Sequence, residues 1–281
     1  MTLTFTENYH KVQAISSTLL KEVSRRSPVH ARYKAETFTP TPAMNLGTAV
    51  HCAILEPKEY ENRFAIAPKV DKRTKAGKAE WAEFVESAGD KMVLTQEQAN
   101  AVIAMTDNYL RHPACEGIAF DISKHPVQNG LIEAERYWEY ETFSRLSGEI
   151  KADCKAKIDY VHKEQKILID IKTTMDASTE AFTKQSWNLK YHLQLAFYLQ
   201  AMGVLKNECG QWNVQIIAIE NTAPHAVNVF KVGERLLQLG YDEWKDALVE
   251  YVNFYADMDE GIQVEPYGNV LKELGAPSWV K

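Results

Sequence analysis

Two neighbouring acidic segments constrain the fold of this chain more than any other feature of its sequence. Residues 154–162 and 166–172 each have the apolar and β-branched composition of a strand. The polar residues 163–165 between them predict a turn. The sequence therefore predicts a hairpin of two adjacent strands.

The side chains of this hairpin separate onto two faces. Residues two apart on a strand share a face, so the isoleucines at 167, 169 and 171 point into an apolar layer. Asp170 and Lys172 point the opposite way, and Asp159 can lie beside them from the first strand. An ordinary solvated sheet face remains the alternative interpretation.

Two carboxylates beside an ammonium group suit metal-assisted phosphodiester cleavage. Mg²⁺ prefers oxygen ligands and keeps several of its waters, so two or three carboxylates suffice to hold it. The ion lowers the pKa of a bound water, and a neighbouring lysine can orient that water or stabilise developing charge. Without the ion, clustered carboxylates repel one another, and at least one pKa is expected to rise.

A third strand over residues 131–143 precedes the hairpin, and it alternates acidic with apolar or other side chains. Glu133 and Glu135 are both candidates for a further metal ligand. Three successive strands predict an antiparallel meander, and a further apolar strand over 214–219 and another over 226–232 extend the sheet. The predicted fold class is α/β, an α+β-like mixed sheet flanked by helices, in one domain over residues 1–281. That domain has a helical part over about 1–125, a catalytic core over about 126–235, and a C-terminal helix and tail over 236–281.

Helical patterns occupy most of the remaining chain. The predicted helices cover residues 16–26, 46–55, 79–87, 95–111, 178–184, 188–202 and 232–258. Thr95 and Gln98 have the spacing of a capping box. Residues 39–42 are expected to form a loop, and the lysine-rich residues 69–78 a mobile basic loop. On the helix over 188–202, Tyr191, Gln194 and Tyr198 share one face.

His51 lies on the otherwise apolar helix over residues 46–55. A single histidine in such a place is more often a core residue than a ligand. Its local sequence alone therefore favours a structural role.

Composition narrows the function classes. A formal net charge of −6 is not that of a protein that coats DNA non-specifically, so a DNA enzyme of this kind needs a locally basic channel or metal ions. The four cysteines, Cys52, Cys115, Cys154 and Cys209, form no C-x-x-C pair, and we expect buried thiols and no iron–sulfur cluster. No apolar run is long enough to span a membrane and no signal peptide is evident, so the cytoplasm is the expected compartment.

Several motifs taken together resemble a known family. Asp159 with Asp170-Ile171-Lys172 resembles the D…(D/E)-x-K core of the PD-(D/E)xK nuclease superfamily. The surrounding segments are similar to the C-terminal nuclease domain of the RecE (exonuclease VIII) family, in order along nearly the whole chain. These segments are LGTAVHC (46–52), LEP (55–57), RF (63–64), AP (67–68), RT (73–74), AGK (76–78), YHLQ (191–194), AFY (196–198) and PSW (277–279).

The resemblance implies an activity and partners. It implies a Mg²⁺-dependent exonuclease, in which Mn²⁺ can substitute, that degrades the 5′-ended strand of linear double-stranded DNA. The 3′ overhang would serve a single-strand annealing protein of the RecT type, in a bacterial cell carrying a phage or prophage. The resemblance also implies a homo-oligomeric ring around DNA.

The resemblance further implies roles for individual residues. Asp159, Asp170, His51 and Glu133 would bind metal, and Lys172 would be the catalytic lysine acting with the two aspartates. On this comparison His51 becomes a site residue, and Glu135 remains the competing acid. The residues expected to contact DNA are Gln194, Tyr198, Tyr191, Lys155, Lys157 and Arg73.

The chain also departs from the family pattern. Ile158 replaces the proline of the superfamily motif, and the segment between Trp138 and Cys154 is longer than expected, which weakens the register behind Glu133. The long N-terminal region of some RecE forms is expected to be absent. The alternatives are an endonuclease or repair nuclease of the same superfamily and a catalytically inactive DNA-binding module.

Overall fold

The computed structural model describes residues 9, 11–116 and 130–267. Its strands are β1 (Ile15–Ser16), β2 (Phe64–Ile66), β3 (Met92–Leu94), β4 (Leu131–Ser144), β5 (Gly148–His162), β6 (Ile167–Thr174), β7 (Asn213–Glu220) and β8 (Val227–Lys231). Its α-helices are α1 (Ser17–Arg25), α2 (Pro28–Glu36), α3 (Pro42–Leu55), α4 (Tyr60–Arg63), α5 (Lys75–Ala88), α6 (Gln96–Arg111), α7 (Thr179–Asn188), α8 (Tyr191–Ala201) and α9 (Glu234–Asp259). Short 3₁₀ turns cover Pro57–Glu59, Pro113–Cys115 and Lys206–Gln211.

One mixed sheet organises the described part of the chain. Its strand order is β1-β5-β6-β7-β8, and β4 also pairs with β5. The β4–β5, β5–β6 and β7–β8 pairs are antiparallel, whereas β1–β5 and β6–β7 are parallel. The predicted meander of three strands is confirmed. The parallel β6–β7 pair needs a crossover, and α7 and α8 supply it.

Helices cover both faces of this sheet. On one face, Ile158 and Leu168 belong to a buried cluster with side chains of α1, α8 and α9. On the other face, Ile169 and Ile171 pack with side chains of α3 and α6. The central strands are therefore buried on both sides, which explains their long apolar runs. The mixed sheet flanked by helices agrees with the predicted fold class.

The helix ends follow the local sequence with two corrections. Thr95 and Gln98 form the predicted capping box at the start of α6. The predicted loop over residues 39–42 is wrong at its end, because Pro42 begins α3 after the Thr41 cap, a position that suits proline. The predicted basic loop over residues 69–78 is also too long, since Thr74 caps α5, which begins at Lys75.

Two remaining expectations concern the C-terminal tail and the membrane. The segment PSW (277–279) and most of the predicted tail lie outside the described residues. In the described ranges, every helix is too short or too polar to cross a bilayer.

Candidate active site

The ladder between β4 and β5 is interrupted at one pair of facing residues. Ile132 pairs with Tyr160 and Ala134 pairs with Ile158, but Glu133 and Asp159 between them do not pair. Glu133 has a φ of +49°, a left-handed conformation that is uncommon for a residue with a side chain. The interruption places two carboxylates side by side in the middle of the sheet.

Helix α3 brings a histidine to this break. The Nδ1 atom of His51 lies 3.5 Å from Oδ2 of Asp159. Close packing of the helix on the sheet makes this possible, because a Cβ atom on Gly47 would lie 3.3 Å from the Thr173 hydroxyl oxygen. His51, Glu133 and Asp159 each offer one ligand atom, and these atoms all lie within 4.8 Å of one another.

Strands β5 and β6 part at the same level. Their pairing covers only residues 160–162 and 167–169, and Asp159 lies just beyond it. Beyond this pairing, the Asp159 side chain replaces a backbone partner, since its Oδ2 atom accepts a hydrogen bond of 2.7 Å from the Ile171 amide. A side chain thus satisfies a buried backbone donor that the diverging strands leave without a carbonyl.

Asp170 and Lys172 extend the site along β6. The ammonium of Lys172 lies 2.6 Å from Oδ2 of Asp170, an ion-pair distance. This oxygen is buried, yet it accepts no hydrogen bond of good geometry. The other oxygen, Oδ1, accepts a hydrogen bond of 3.0 Å from the side-chain amide of Gln194. Asp170 is therefore fixed on one side and has lone pairs available on the other.

Gln194 on α8 connects this carboxylate to two further residues. Its Nε2 atom also donates to the Tyr198 hydroxyl at 2.8 Å, and its Oε1 atom accepts from the Lys21 ammonium at 2.6 Å. Gln194 and Tyr198 are both buried. All the polar atoms of the amide are thus engaged within the protein, and Gln194 orients Asp170 in this structure.

The ring of Tyr191 lies close to two ammonium groups. Lys172 Nζ is 5.1 Å from the ring centroid, and Lys21 Nζ is 5.7 Å from it. Both distances are within the range of a cation–π interaction. Tyr191 therefore lies at the site, as predicted from its position on the same helical face as Gln194.

The other predicted DNA contacts are placed differently. Lys155 is buried, and its ammonium donates to the carbonyl oxygens of Tyr9 and Val12, which favours a structural role over DNA contact. Lys157 forms an ion pair of 2.5 Å with Glu133 at the edge of the site. Arg73 is exposed and pairs with Asp71 at the start of α5.

Glu133 and the competing acid Glu135 have separate partners. Glu133 joins His51 and Asp159, whereas Glu135 accepts a hydrogen bond of 3.1 Å from the Tyr137 hydroxyl. The left-handed conformation of Glu133 breaks the alternation that would have put both acids on one face. The geometry therefore favours Glu133 as the third acid.

Burial and interactions between charges shift the pKa values of the acids and bases of the site. Burial raises the pKa of the Asp159 carboxyl to about 6, the Asp170 and Glu133 carboxylates add to this rise, and His51 and Lys172 oppose it. Burial acts to lower the pKa of Lys172, but the Asp170 and Asp159 carboxylates raise it above its ordinary value. Burial, followed by the same two carboxylates, keeps the pKa of Tyr198 well above its usual range. Lys172 and Tyr198 are therefore protonated at neutral pH.

The donor set fits a divalent cation. It combines carboxylate oxygens with one imidazole nitrogen, ligands suited to ions such as Mg²⁺ and Mn²⁺. His51, Glu133 and Asp159 form the compact group, and the Asp170 carboxylate lies close enough to act on Asp159. Burial first, and then the Asp170 and Glu133 carboxylates, raise the pKa of Asp159, and a bound cation would offset part of this effect.

Sequence reasoning missed one residue of this site, Lys21. In the sequence it falls on the polar side of a short helix beside Glu22. Nothing local distinguishes a lysine that faces a neighbouring helix from one that faces water. Only the packing of α1 on α8, which are 173 residues apart at the Lys21–Gln194 contact, places it here.

Comparisons with known proteins agree with the fold. A family model described as a PDDEXK-like domain of unknown function (DUF3799) matches residues 16–265. No curated protein matches the chain. A crystal structure from Eubacterium rectale, of a protein provisionally named an exonuclease, has a TM-score of 0.57 at 14% identity and covers 98% of this chain and 97% of that chain. It shows a similar fold. A phage-related exonuclease from Haemophilus somnus 129PT has a TM-score of 0.34 at 9% identity, covering 88% of this chain and 96% of that chain, which is too distant to support an argument.

Proposed function

The chain belongs to the family of PDDEXK-like domains, and from that membership we propose that it is a divalent-metal-dependent nuclease acting on DNA. The observation that carries the proposal is the convergence of His51, Glu133, Asp159, Asp170 and Lys172 from α3, β4, β5 and β6. A binding module has no need for a buried carboxylate group of raised pKa beside a charged lysine. The same convergence supports catalytic over purely structural roles for these five side chains.

The protein side chains have distinct tasks in this proposal. A bound cation would acidify a water and neutralise charge on the phosphate. His51, Glu133, Asp159 and Asp170 would hold the ion, and Gln194 keeps the Asp170 carboxylate oriented through its amide. Lys172 remains charged and lies at the same carboxylate, where it can orient the attacking water or stabilise the developing oxyanion.

The finer assignment rests on the resemblance to the RecE family. We propose that the enzyme prefers Mg²⁺, with Mn²⁺ as a substitute, and degrades the 5′-ended strand of linear double-stranded DNA. The 3′ overhang would pass to a RecT-like annealing protein in the cytoplasm of a bacterium carrying a phage or prophage. Assembly as a ring around DNA would reconcile the net charge of −6 with continued contact to the substrate.

Digestion of an end-labelled linear duplex tests the proposal. Duplexes labelled at either the 5′ or the 3′ end are incubated with Mg²⁺, with Mn²⁺ or with EDTA, alongside a covalently closed circle. The expected result is early, metal-dependent release of the 5′ label, with circles left intact. Early release of the 3′ label would contradict the polarity, and nicked circles would indicate an endonuclease of the same fold.

Matched variants connect the activity to this site. Asp170→Ala and Asp170→Asn are expected to lose activity by a factor of about 10³ or more, since they remove a ligand and the partner of Lys172. Asp107→Asn, which removes an exposed carboxylate on α6, is the control and should cleave at the wild-type rate. DNA binding without cleavage by the wild-type protein would instead indicate an inactive binding module.

A further inference from the structure

Lys21 is a half-buried lysine at the active site that the proposed mechanism does not use. Its only hydrogen bond in the described part of the chain goes to the neutral amide oxygen of Gln194. No carboxylate among the described residues forms an ion pair with it, although the nearby lysines 34, 157, 172 and 190 all have one. A desolvated ammonium group without an anion is unfavourable unless a ligand supplies one.

The surroundings of Lys21 are those of an anion site. An ammonium has three donors, and Gln194 takes one of them, so two remain for another acceptor. Lys21 and Lys172 both lie against the ring of Tyr191, at 5.7 Å and 5.1 Å from its centroid. Burial, with a smaller contribution from the Lys172 ammonium, lowers the pKa of Lys21 to about 7. Two lysine side chains thus lie against one ring, with the Asp170 carboxylate acting on both of them and the Asp159 carboxylate acting on Lys172.

We propose that Lys21 is a substrate-binding residue whose ammonium contacts a phosphate group of the DNA backbone next to the catalytic centre. This inference rests on the proposed function and deepens it, because it assigns a phosphate contact to helix α1. The arriving phosphate would accept hydrogen bonds from the two ammonium donors of Lys21 that Gln194 does not engage. Gln194 holds the Lys21 side chain toward the site and joins it to Asp170.

The salt dependence of DNA binding distinguishes this role from a structural one. Each phosphate contact contributes about 0.9 to the slope of log K against log salt concentration for a duplex. Loss of the contact should lower that slope by about 0.9 and weaken binding by about tenfold at low salt. A lysine that only orients Gln194 would affect cleavage or thermal stability and leave the slope unchanged.

The experiment measures equilibrium binding of a short, fluorescently labelled linear duplex over a range of salt concentrations. Ca²⁺ replaces Mg²⁺, and gel analysis verifies that the duplex stays intact. The variants are Lys21→Met, Lys21→Gln and Lys21→Arg. Lys21→Gln retains a donor for the Gln194 amide without the charge, so it serves even if Lys21→Met does not fold. Lys206→Met is the control, because it removes the same charge beyond the far end of α8, where Lys206 pairs with Asp242.

The proposal expects the reduced slope with Lys21→Met and Lys21→Gln, and a slope near that of the wild type with Lys21→Arg and Lys206→Met. An unchanged slope in both neutral variants, with DNA cleavage by the wild-type protein intact, would overturn the role of Lys21 and leave the proposed function standing. Failure of the wild-type protein to bind the duplex at all would overturn both.

Discussion

At the scale of single residues, Asp159 has both a structural contact and a place in the candidate metal site. Its carboxylate replaces a missing strand partner for the Ile171 amide, and it faces His51 and Glu133 at the break in the ladder. Burial and the neighbouring carboxylates raise its pKa to about 6. The residue that would bind metal therefore binds its proton more tightly than an ordinary aspartate does.

The raised pKa of Asp159 gives the metal-free protein a definite pH dependence. Because the folded state binds this proton more tightly than the unfolded state, the resulting stability is fully present below the ordinary pKa of about 4 and is lost as the pH rises through about 6. Asp159→Asn should therefore gain stability relative to the wild type as the pH rises, by up to about 2–3 kcal/mol at pH 7.5.

Urea denaturation in EDTA at pH 4, 5, 6 and 7.5 measures this difference. The wild-type protein and Asp159→Asn are compared at each pH. Asp176→Asn is the control, because it makes the same substitution at an exposed aspartate. A stability difference that stays constant across this pH range would show that the fold does not raise the pKa of Asp159.

At the scale of elements, the contact of α8 with α9 and α1 sets the position of Gln194. The carboxylate of Glu243 on α9 lies 2.5 Å from Nε2 of His192 and accepts a hydrogen bond of 2.6 Å from the Ser24 hydroxyl. It also forms an ion pair with Lys190. Although burial works to raise it, these contacts lower the pKa of Glu243 to about 2. The helices that carry Lys21 and Gln194 are thus joined through one carboxylate behind the site.

A glycine allows α8 and α9 to approach closely, and its replacement should move the site. A Cβ atom at Gly240 would lie 2.2 Å from the backbone oxygen of His192, so Gly240→Ala must separate the helices. We expect a loss of about 1–3 kcal/mol in unfolding free energy and reduced cleavage, since Gln194 moves with α8. Gly233→Ala meets no atom within 4 Å at the N-cap of α9, and the poorer capping by alanine opposes its lower unfolded-state entropy, so stability should change by less than about 1 kcal/mol.

Thermal melts and cleavage rates of the two variants provide the measurement. Wild-type stability for Gly240→Ala would contradict the close approach of these helices.

The sequence predicts the elements better than it predicts their meeting points. The hairpin, the strand that carries Glu133 and the capping box of α6 follow from alternation and cap chemistry, and the structure contains them. The left-handed Glu133 and the inward-facing Lys21 could not be predicted, since contacts with distant strands and helices determine both. For Lys155, the resemblance to the RecE family implied DNA contact, yet its ammonium donates to backbone carbonyls of the N-terminal segment.

At the scale of the whole molecule, we expect the clustered group of acids to make the stability of the fold depend on divalent ions. A ligand that binds the folded state alone raises stability in proportion to the logarithm of its concentration above its Kd. Millimolar Mg²⁺ should therefore raise the Tm by a few degrees at pH 7.5, corresponding to about 1 kcal/mol. The shift should vanish at pH 5, where Asp159 is protonated, and in the Asp170→Asn protein.

Differential scanning calorimetry with Mg²⁺, with a matched concentration of K⁺ and with EDTA tests this expectation. An equal shift with K⁺ would attribute the effect to ionic strength. An equal shift in Asp170→Asn would show that Asp170 does not contribute to binding the ion.

The N-terminal segment contacts residues that are far away in the sequence, and this has a consequence for protein synthesis. Lys155 donates to the carbonyl oxygen of Tyr9 across 146 positions, and Lys21 reaches Gln194 across 173. A ribosome translates from the N-terminus, so helix α1 emerges long before the residues against which it packs. A nascent chain stopped before α8 holds the acids of β5 and β6 but lacks the amide that orients Asp170. The candidate active site is consequently completed late in translation, and fragments released early would lack it.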